Sequence, residues 1–344
     1  MSGTDCLAEK ENVLYFNFNT DHTCFTVGTN KGFQIWNITP FKLRYAREVG
    51  GVGIVEMVER SNVLALVGDG TNPDYPKNKV RIWEDVNKKI IAELEFRSEV
   101  KLVRIHRSRI VVATYNKIYV YRFSDLSLLY SSEIQEDVLS YSDKVLAYPT
   151  LKSGHVQVRF ETEVSSSEEM NLNGSAFKVH DHKIGFLCLN KEATLLASAS
   201  SQGTIIKIFN TLGRNLVTKL RRGKDPAKIT HMSFSPTSEW LCVCSDKGTV
   251  HIFNVSDSSK TQKSSINFIG DLSILPSSLH DYVNSEFSFV QIHSVKPDSI
   301  AAFDEQVSNQ VNVLSPDGSL TSYSFDVENG GEAQKQSCYI YKHV

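Results

Sequence analysis

Two stretches, SSQGTIIKIF at 200–209 and SDKGTVHIF at 245–253, carry the reading from which the fold follows. Each puts a Gly-containing turn ahead of a short alternating run that ends in Phe, which is the signal of a β-hairpin. The same arrangement recurs outward in both directions: KGFQIW (31–36), NKVRIW (78–83), NKIYVY (116–121), GHVQVRF (154–160) and DGSLTSY (317–323), seven instances in all. Several follow a second apolar run that reads as a strand, namely NVLALVG (62–68), RIVVATY (109–115), TLLASAS (194–200) and EWLCVCS (239–245). Few segments combine helical periodicity with caps, so helix content is expected to be low.

Successive aromatic endings lie roughly 38 to 50 residues apart through the sixth unit, the period of a four-stranded propeller blade. The seventh comes about 70 residues after the sixth, which places an excess of chain at about 256–284. Seven units consume most of the 344 residues. The expected architecture is all-β, a single seven-bladed WD40-like β-propeller over 1–344 with a long loop insertion in blade 6.

Composition narrows the function classes. Lys and Arg number 37 against 39 Asp and Glu, so no global positive field would draw nucleic acid to the surface. Anion binding, if present, must come from a local cluster. The six cysteines form no CxxC pair and no zinc spacing, and no metal or other cofactor is expected. They read as reduced, buried thiols, with Cys242 and Cys244 on one strand face. The N-terminal MSGTDCLAEKEN has no secretory signal pattern, and the apolar runs are too short to span a bilayer. Any contact with a membrane is expected to be peripheral. Nucleophile elbow, P-loop and dinucleotide motifs are missing, so the chain does not read as an enzyme.

Units five and six differ from the rest. The first offers Ser200, Thr204 and Lys207 around its hairpin, the second Ser245, Thr249 and His251. Hydroxyls and basic groups are the donors that phosphate oxygens accept from. Between them lies KLRRGKDP, 219–226. Side chains alternate on a strand, so Arg221 and Arg222 should diverge toward the two hairpins and build two similar anion sites. Gly223 would allow a tight backbone approach to a ligand, while His180, His182, Lys183 and Lys224 add positive or titratable character. Imidazoles titrate near 6.5 unperturbed, so His180 and His251 should make anion affinity rise as pH falls from about 7.5 to 6. Against this stands a plainer reading, in which the arginines are solvated or ion-paired, the hydroxyls satisfy turn backbone, and the histidines bond within their blades.

The segment LRRG at 220–223 resembles the F/L-R-R-G signature of the PROPPIN family, the phosphoinositide-binding β-propellers that include the WIPI and Hsv-type proteins. GGVGIVEM (50–57), LALVGDGTNPDYPKNKVRIWED (64–85) and CSDKGTVHIF (244–253) resemble the same family. The resemblance implies a first headgroup site with Arg221, His180, Ser200, Thr204 and Lys207. It implies a second with Arg222, Ser245, Thr249 and His251, to which the nearby Lys224 is added. His182 and Lys183 are not family matches, and Leu220 stands where Phe is commoner. The ligands implied are phosphatidylinositol 3-phosphate and phosphatidylinositol 3,5-bisphosphate, in a non-enzymatic effector of autophagic, endosomal or vacuolar membranes. An autophagy-related lipid-transfer protein is the implied partner, through loops such as 69–78. A protein-interaction scaffold without a lipid role is the alternative, since the fold hosts many functions.

The excess chain places Phe268, Ile269, Leu272 and Leu275 beyond a polar, lysine-bearing start. Apolar side chains next to basic ones suit an interfacial membrane anchor, a use the family resemblance also implies. The competing placement makes 268–275 the outer strand of blade 6.

Overall fold

All seven repeats become the third strand of a separate antiparallel sheet: Gly32–Asn37, Lys79–Glu84, Lys117–Arg122, His155–Phe160, Ile205–Asn210, Val250–Asn254 and Ser319–Ser324. The computed structural model describes residues 11–142, 145–160, 175–256 and 286–341, and every regular element among them is a strand. The apolar runs ahead of the repeats are the second strands, as in Val63–Gly68 and Trp240–Ser245. Tight turns join second to third strands, with Gly203 at φ 60° and Gly248 at φ 73°. At Gly203 an added Cβ would lie 1.9 Å from the carbonyl oxygen of Ala227, so glycine is required there sterically as well.

Seven apolar clusters hold the ring together, one at each boundary between blades. The cluster of Phe18, Phe25 and Trp36 with Ala302, Leu314 and Leu320 closes blade 7 onto blade 1. Blade 5 is sandwiched in the same way. Leu196 and Phe209 face blade 4, whereas Ile206, Ile208 and Leu220 face blade 6. Strand alternation therefore settles which way every other side chain of that blade points. The first strands surround a central cavity of about 590 Å³. Inside it the Glu56 carboxylate accepts hydrogen bonds from Asn17 and Arg104, each at 2.8 Å, and from the Tyr15 hydroxyl.

Blades 5 and 6 depart from the four-strand rule. The outer strand of blade 5, Leu216–Arg221, carries Glu286–Phe287 alongside it in parallel. The outer strand of blade 6 is Val290–Ile292, which itself carries Gly331–Glu332. That pairing fills the edge of the third strand of blade 6. Phe268, Ile269, Leu272 and Leu275 lie outside the described residues.

The cysteines divide. Cys24, Cys242 and Cys244 are buried, and burial pushes the Cys244 thiol up to about 12. Cys338 is exposed on the outer strand of blade 7, which corrects the expectation of uniformly buried thiols. Its alternation with Ser337 and Tyr339 on an edge strand gave no local sign of which side was covered.

Candidate anion-binding site

Arg221 is the last residue of the outer strand of blade 5 and pairs across the ladder with Ile205. Two residues earlier Lys219 pairs with Lys207, and Lys207 in turn pairs with Ser198. Directly opposed residues share a face, as do residues two apart on one strand. Ser198 is two residues from Leu196, which packs toward blade 4. Ser198, Ser200, Lys207, Lys219 and Arg221 therefore look into the crevice between blades 4 and 5.

His180 enters that crevice from the segment joining the two blades. Its Nε2 lies 3.0 Å from the Ser198 carbonyl oxygen, so this nitrogen carries the hydrogen and donates; the Ser198 hydroxyl is 3.1 Å away. Burial, reinforced by the charge of Lys207, pushes its pKa down to about 4. Ser200 is buried, and its hydroxyl accepts the Gln202 N–H at 3.3 Å. A hydroxyl accepting one bond still carries its own O–H donor. Thr204 lies in the hairpin ahead of the third strand, three residues from Lys207, and its carbonyl accepts the Arg222 N–H at 3.0 Å.

Arg222 follows the strand and turns toward blade 6. Its Nε donates to the Gly203 carbonyl at 2.9 Å, and Nη2 donates to the Asp225 carbonyl. Both arginines are buried, at 7% and 9% exposure, which makes them unlike a solvated surface pair. Burial lowers the Arg222 guanidinium pKa, while Asp246 and Asp225 oppose that shift. On blade 6, His251 pairs with Val243, a residue packed toward blade 5, so the imidazole faces the crevice between blades 5 and 6. Its Nδ1 lies 3.2 Å from the Ser288 hydroxyl, and burial with the nearby Arg222 pushes it down to about 4. Ser245 is buried and accepts the Lys247 N–H at 3.4 Å. Thr249, half-buried, sits two residues from His251, and Lys224 is exposed just beyond Arg222.

Two crevices thus flank blade 5, each with one arginine, buried serines and at least one inward-facing base. His182 and Lys183 are exposed, and Lys183 lies 3.7 Å from Glu136. Gly223 has no left-handed φ, and a Cβ there would meet nothing within 4 Å, so the turn does not require glycine. Held near 4, neither imidazole charges between pH 7.5 and 6 without a bound anion to raise it. Sequence reasoning missed Lys219, although the period of two puts it on the face of Arg221. It also missed Ser288 and Gln291, whose amide donates to the Ser288 hydroxyl at 2.9 Å. They lie across the long insertion, with no local signal to tie them to His251.

Comparison with known proteins gives a consistent result. The PROPPIN family model matches residues 12–340. The SVP1-like protein 2 of Pichia angusta is 36% identical over 306 residues, covering 85% of this chain and 84% of that protein. Autophagy-related protein 18 of Dictyostelium discoideum is 32% identical over 350 residues, covering 94% and 91%. Among solved structures, Kluyveromyces lactis Hsv2 superposes with a TM-score of 0.80 at 24% identity, over 96% of this chain and all of that one (100%). At that identity the superposition speaks for the fold, a seven-bladed β-propeller.

Proposed function

The chain belongs to the PROPPIN family, and on that premise we propose that it is a peripheral effector binding phosphatidylinositol 3-phosphate and phosphatidylinositol 3,5-bisphosphate in the two crevices flanking blade 5. Membership implies a phosphoinositide-binding, non-enzymatic protein of autophagy that associates with membranes. The observation that carries the finer reading is the divergence of two adjacent buried arginines, Arg221 toward blade 4 and Arg222 toward blade 6. Burying a guanidinium is costly, and a doubly charged phosphate ester is the kind of ligand that offsets it.

Each crevice alone is a weak site, because a charge-assisted hydrogen bond contributes only about 1.5–3 kcal/mol before costs. Two sites on one rigid blade engage one bilayer together, and such coupling raises avidity by about two to four orders of magnitude. The insertion bearing Phe268, Ile269, Leu272 and Leu275 would add apolar contact with the acyl boundary. The lipid identities point to endosomal, vacuolar and pre-autophagosomal membranes as the place of action. A single polypeptide ring over 1–344, with its blade 6 insertion at about 256–284, would carry all of these functions.

Recruitment of an autophagy-related lipid-transfer protein is assigned to the blade 2 loop 69–78. There Asp69 accepts the Thr71 N–H at 2.9 Å, and Asn72 accepts the Asp74 N–H at 2.9 Å, which presents a turn of defined shape at the surface. Replacing this loop with glycine and serine should remove that partner and leave vesicle binding intact.

Flotation with vesicles containing phosphatidylinositol 3-phosphate tests the lipid reading. The Arg221→Thr/Arg222→Thr protein should stay in the unbound fraction with its fold intact by circular dichroism. A well-folded double variant that still floats would leave the protein-interaction scaffold as the better account.

A further inference from the structure

The chain crosses from one blade to the next at the crevice between blades 5 and 6. Glu286–Phe287 lies along the outer strand of blade 5, and Val290–Ile292 then forms the outer strand of blade 6. Ser288 is buried at that crossing. Gln291 is the direct cross-strand partner of His251, so the two side chains share a face.

The hydrogens of this group follow in order. The Gln291 amide nitrogen donates to the Ser288 hydroxyl at 2.9 Å, and His251 Nδ1 lies 3.2 Å from the same oxygen. The Ser288 hydroxyl has no other acceptor among the described residues, so its single hydrogen goes to Nδ1. With Nδ1 accepting, the ring hydrogen of the neutral imidazole sits on Nε2. Nε2 bonds to no protein group among the described residues, which leaves it as a donor for the crevice. His180 spends the same hydrogen differently. Its Nε2–H is committed to the Ser198 carbonyl at 3.0 Å, so the neutral ring offers the other crevice only a lone pair, which a phosphate oxygen repels.

Burial, then Arg222 and His293, pushes the His251 pKa down to about 4, so a second positive charge beside Arg222 is disfavoured. A neutral N–H donor adds a contact for an anion without adding that charge.

We propose that Gln291 and Ser288 are positioning residues that fix the tautomer of His251, so that the crevice between blades 5 and 6 offers Nε2–H to a headgroup phosphate. The inference rests on the reading that this crevice binds a phosphoinositide headgroup. It makes the two histidines unequal: His251 contacts the ligand, whereas His180 holds its own blade.

The tautomer is read on the full chain with isotope-labelled histidine, from the ring nitrogen resonances at neutral pH, with His251 assigned by its loss in His251→Gln. Wild-type His251 should carry its hydrogen on Nε2. Gln291→Glu keeps the shape but puts an acceptor-only carboxylate where the amide donated. The serine hydroxyl should turn to it, and the ring hydrogen should move to Nδ1. A wild-type hydrogen on Nδ1, or a Gln291→Glu protein with the hydrogen still on Nε2, would overturn the relay. Binding is read in the Arg221→Thr background, which isolates this crevice, by calorimetry with inositol 1,3-bisphosphate. His251→Gln reaches the Nε2 position with an amide nitrogen and should keep affinity within about threefold, whereas His251→Asn reaches only as far as Nδ1 and should lose about tenfold. Thermal denaturation of both variants separates lost contact from lost fold. Equal losses in the two, or no loss in either, would overturn the donor role while leaving headgroup binding in place. If the Arg221→Thr parent bound no headgroup, the lipid reading of this crevice would fall whatever the tautomer, and this inference with it.

Discussion

On one side of blade 5, Arg221 lies on a face shared with Lys207, Lys219 and two serines, beside a neutral His180. On the other side, Arg222 holds two backbone carbonyls, faces a neutral His251 and has Asp225 and Asp246 for neighbours. The hairpins that build these crevices are close copies in sequence. They differ by one residue, which puts Thr249 two positions from His251 but Thr204 three from Lys207. On a strand that count decides whether hydroxyl and base share a face. A duplicated motif therefore need not give a duplicated site: phase and neighbouring charge make the two crevices chemically unequal.

The largest effect should come from breaking both sides at once. Arg221→Thr/Arg222→Thr should lower vesicle affinity at least about a hundredfold, since avidity as well as contact is lost. Flotation across a lipid series measures this. Each single variant loses the coupling between the two sites, so its vesicle affinity should fall sharply while it retains one headgroup per protein. The singles should also differ from each other. Arg222→Thr removes bonds to Gly203 and Asp225 and should cost about 1–2 kcal/mol of folding stability as well, read by thermal denaturation.

Salt sharpens the comparison next. With more cations on its face, the crevice between blades 4 and 5 should lose headgroup affinity faster as salt rises, since screening acts on each charged contact. Titrating the two single variants at about 0.05 M and 0.3 M salt compares the slopes directly. A steeper slope in the Arg221→Thr protein would reverse the assigned order of charge.

How much of this was legible beforehand divides along physical lines. The seven third strands were readable because alternation and a Gly or Asn turn are local signals, as in KGFQIW and KGTVHIF. The fifth strands of blades 5 and 6 were not. Glu286–Phe287 joins Leu216–Arg221 only after a long excursion of chain, and such parallel, non-local pairing leaves no mark in either segment. Arg221 and Arg222 were visible as a pair, and their divergence followed from the strand period, but Lys219 was overlooked inside the same quoted segment. The histidines were readable as bases and not as neutral ones. Their pKa values are lowered by burial, which is a property of tertiary packing. Gly223 looked like a turn glycine because Gly commonly is one, whereas its backbone here is ordinary.

Those histidines predict a smaller, pH-linked effect on stability. His180 and His251 have folded values of about 4 against roughly 6.5 in the unfolded chain. Above 6.5 both states are neutral there and stability is full. As pH falls from 6.5 toward 4 the unfolded state binds protons first, so stability is lost through that window, at up to about 1.4 kcal/mol per pH unit for each group. Melting temperature should therefore drop between pH 7 and 5, and the drop should shrink in His251→Gln. Headgroup affinity should stay nearly flat from pH 7.5 to 6 in both crevices. The smallest effect is expected at Gly223→Ala, which should leave melting temperature unchanged because a Cβ there meets nothing. Any loss of binding in that variant would then report how closely a ligand approaches the backbone.

Stoichiometry tests the two-crevice account most directly. Titrating the intact chain with inositol 1,3-bisphosphate by calorimetry should give two headgroups per protein, falling to one in Arg221→Thr and in Arg222→Thr and to none in the double variant. A single headgroup in the wild type that vanishes with either arginine would mean that Arg221 and Arg222 serve one shared site, contradicting the divergence on which the account rests.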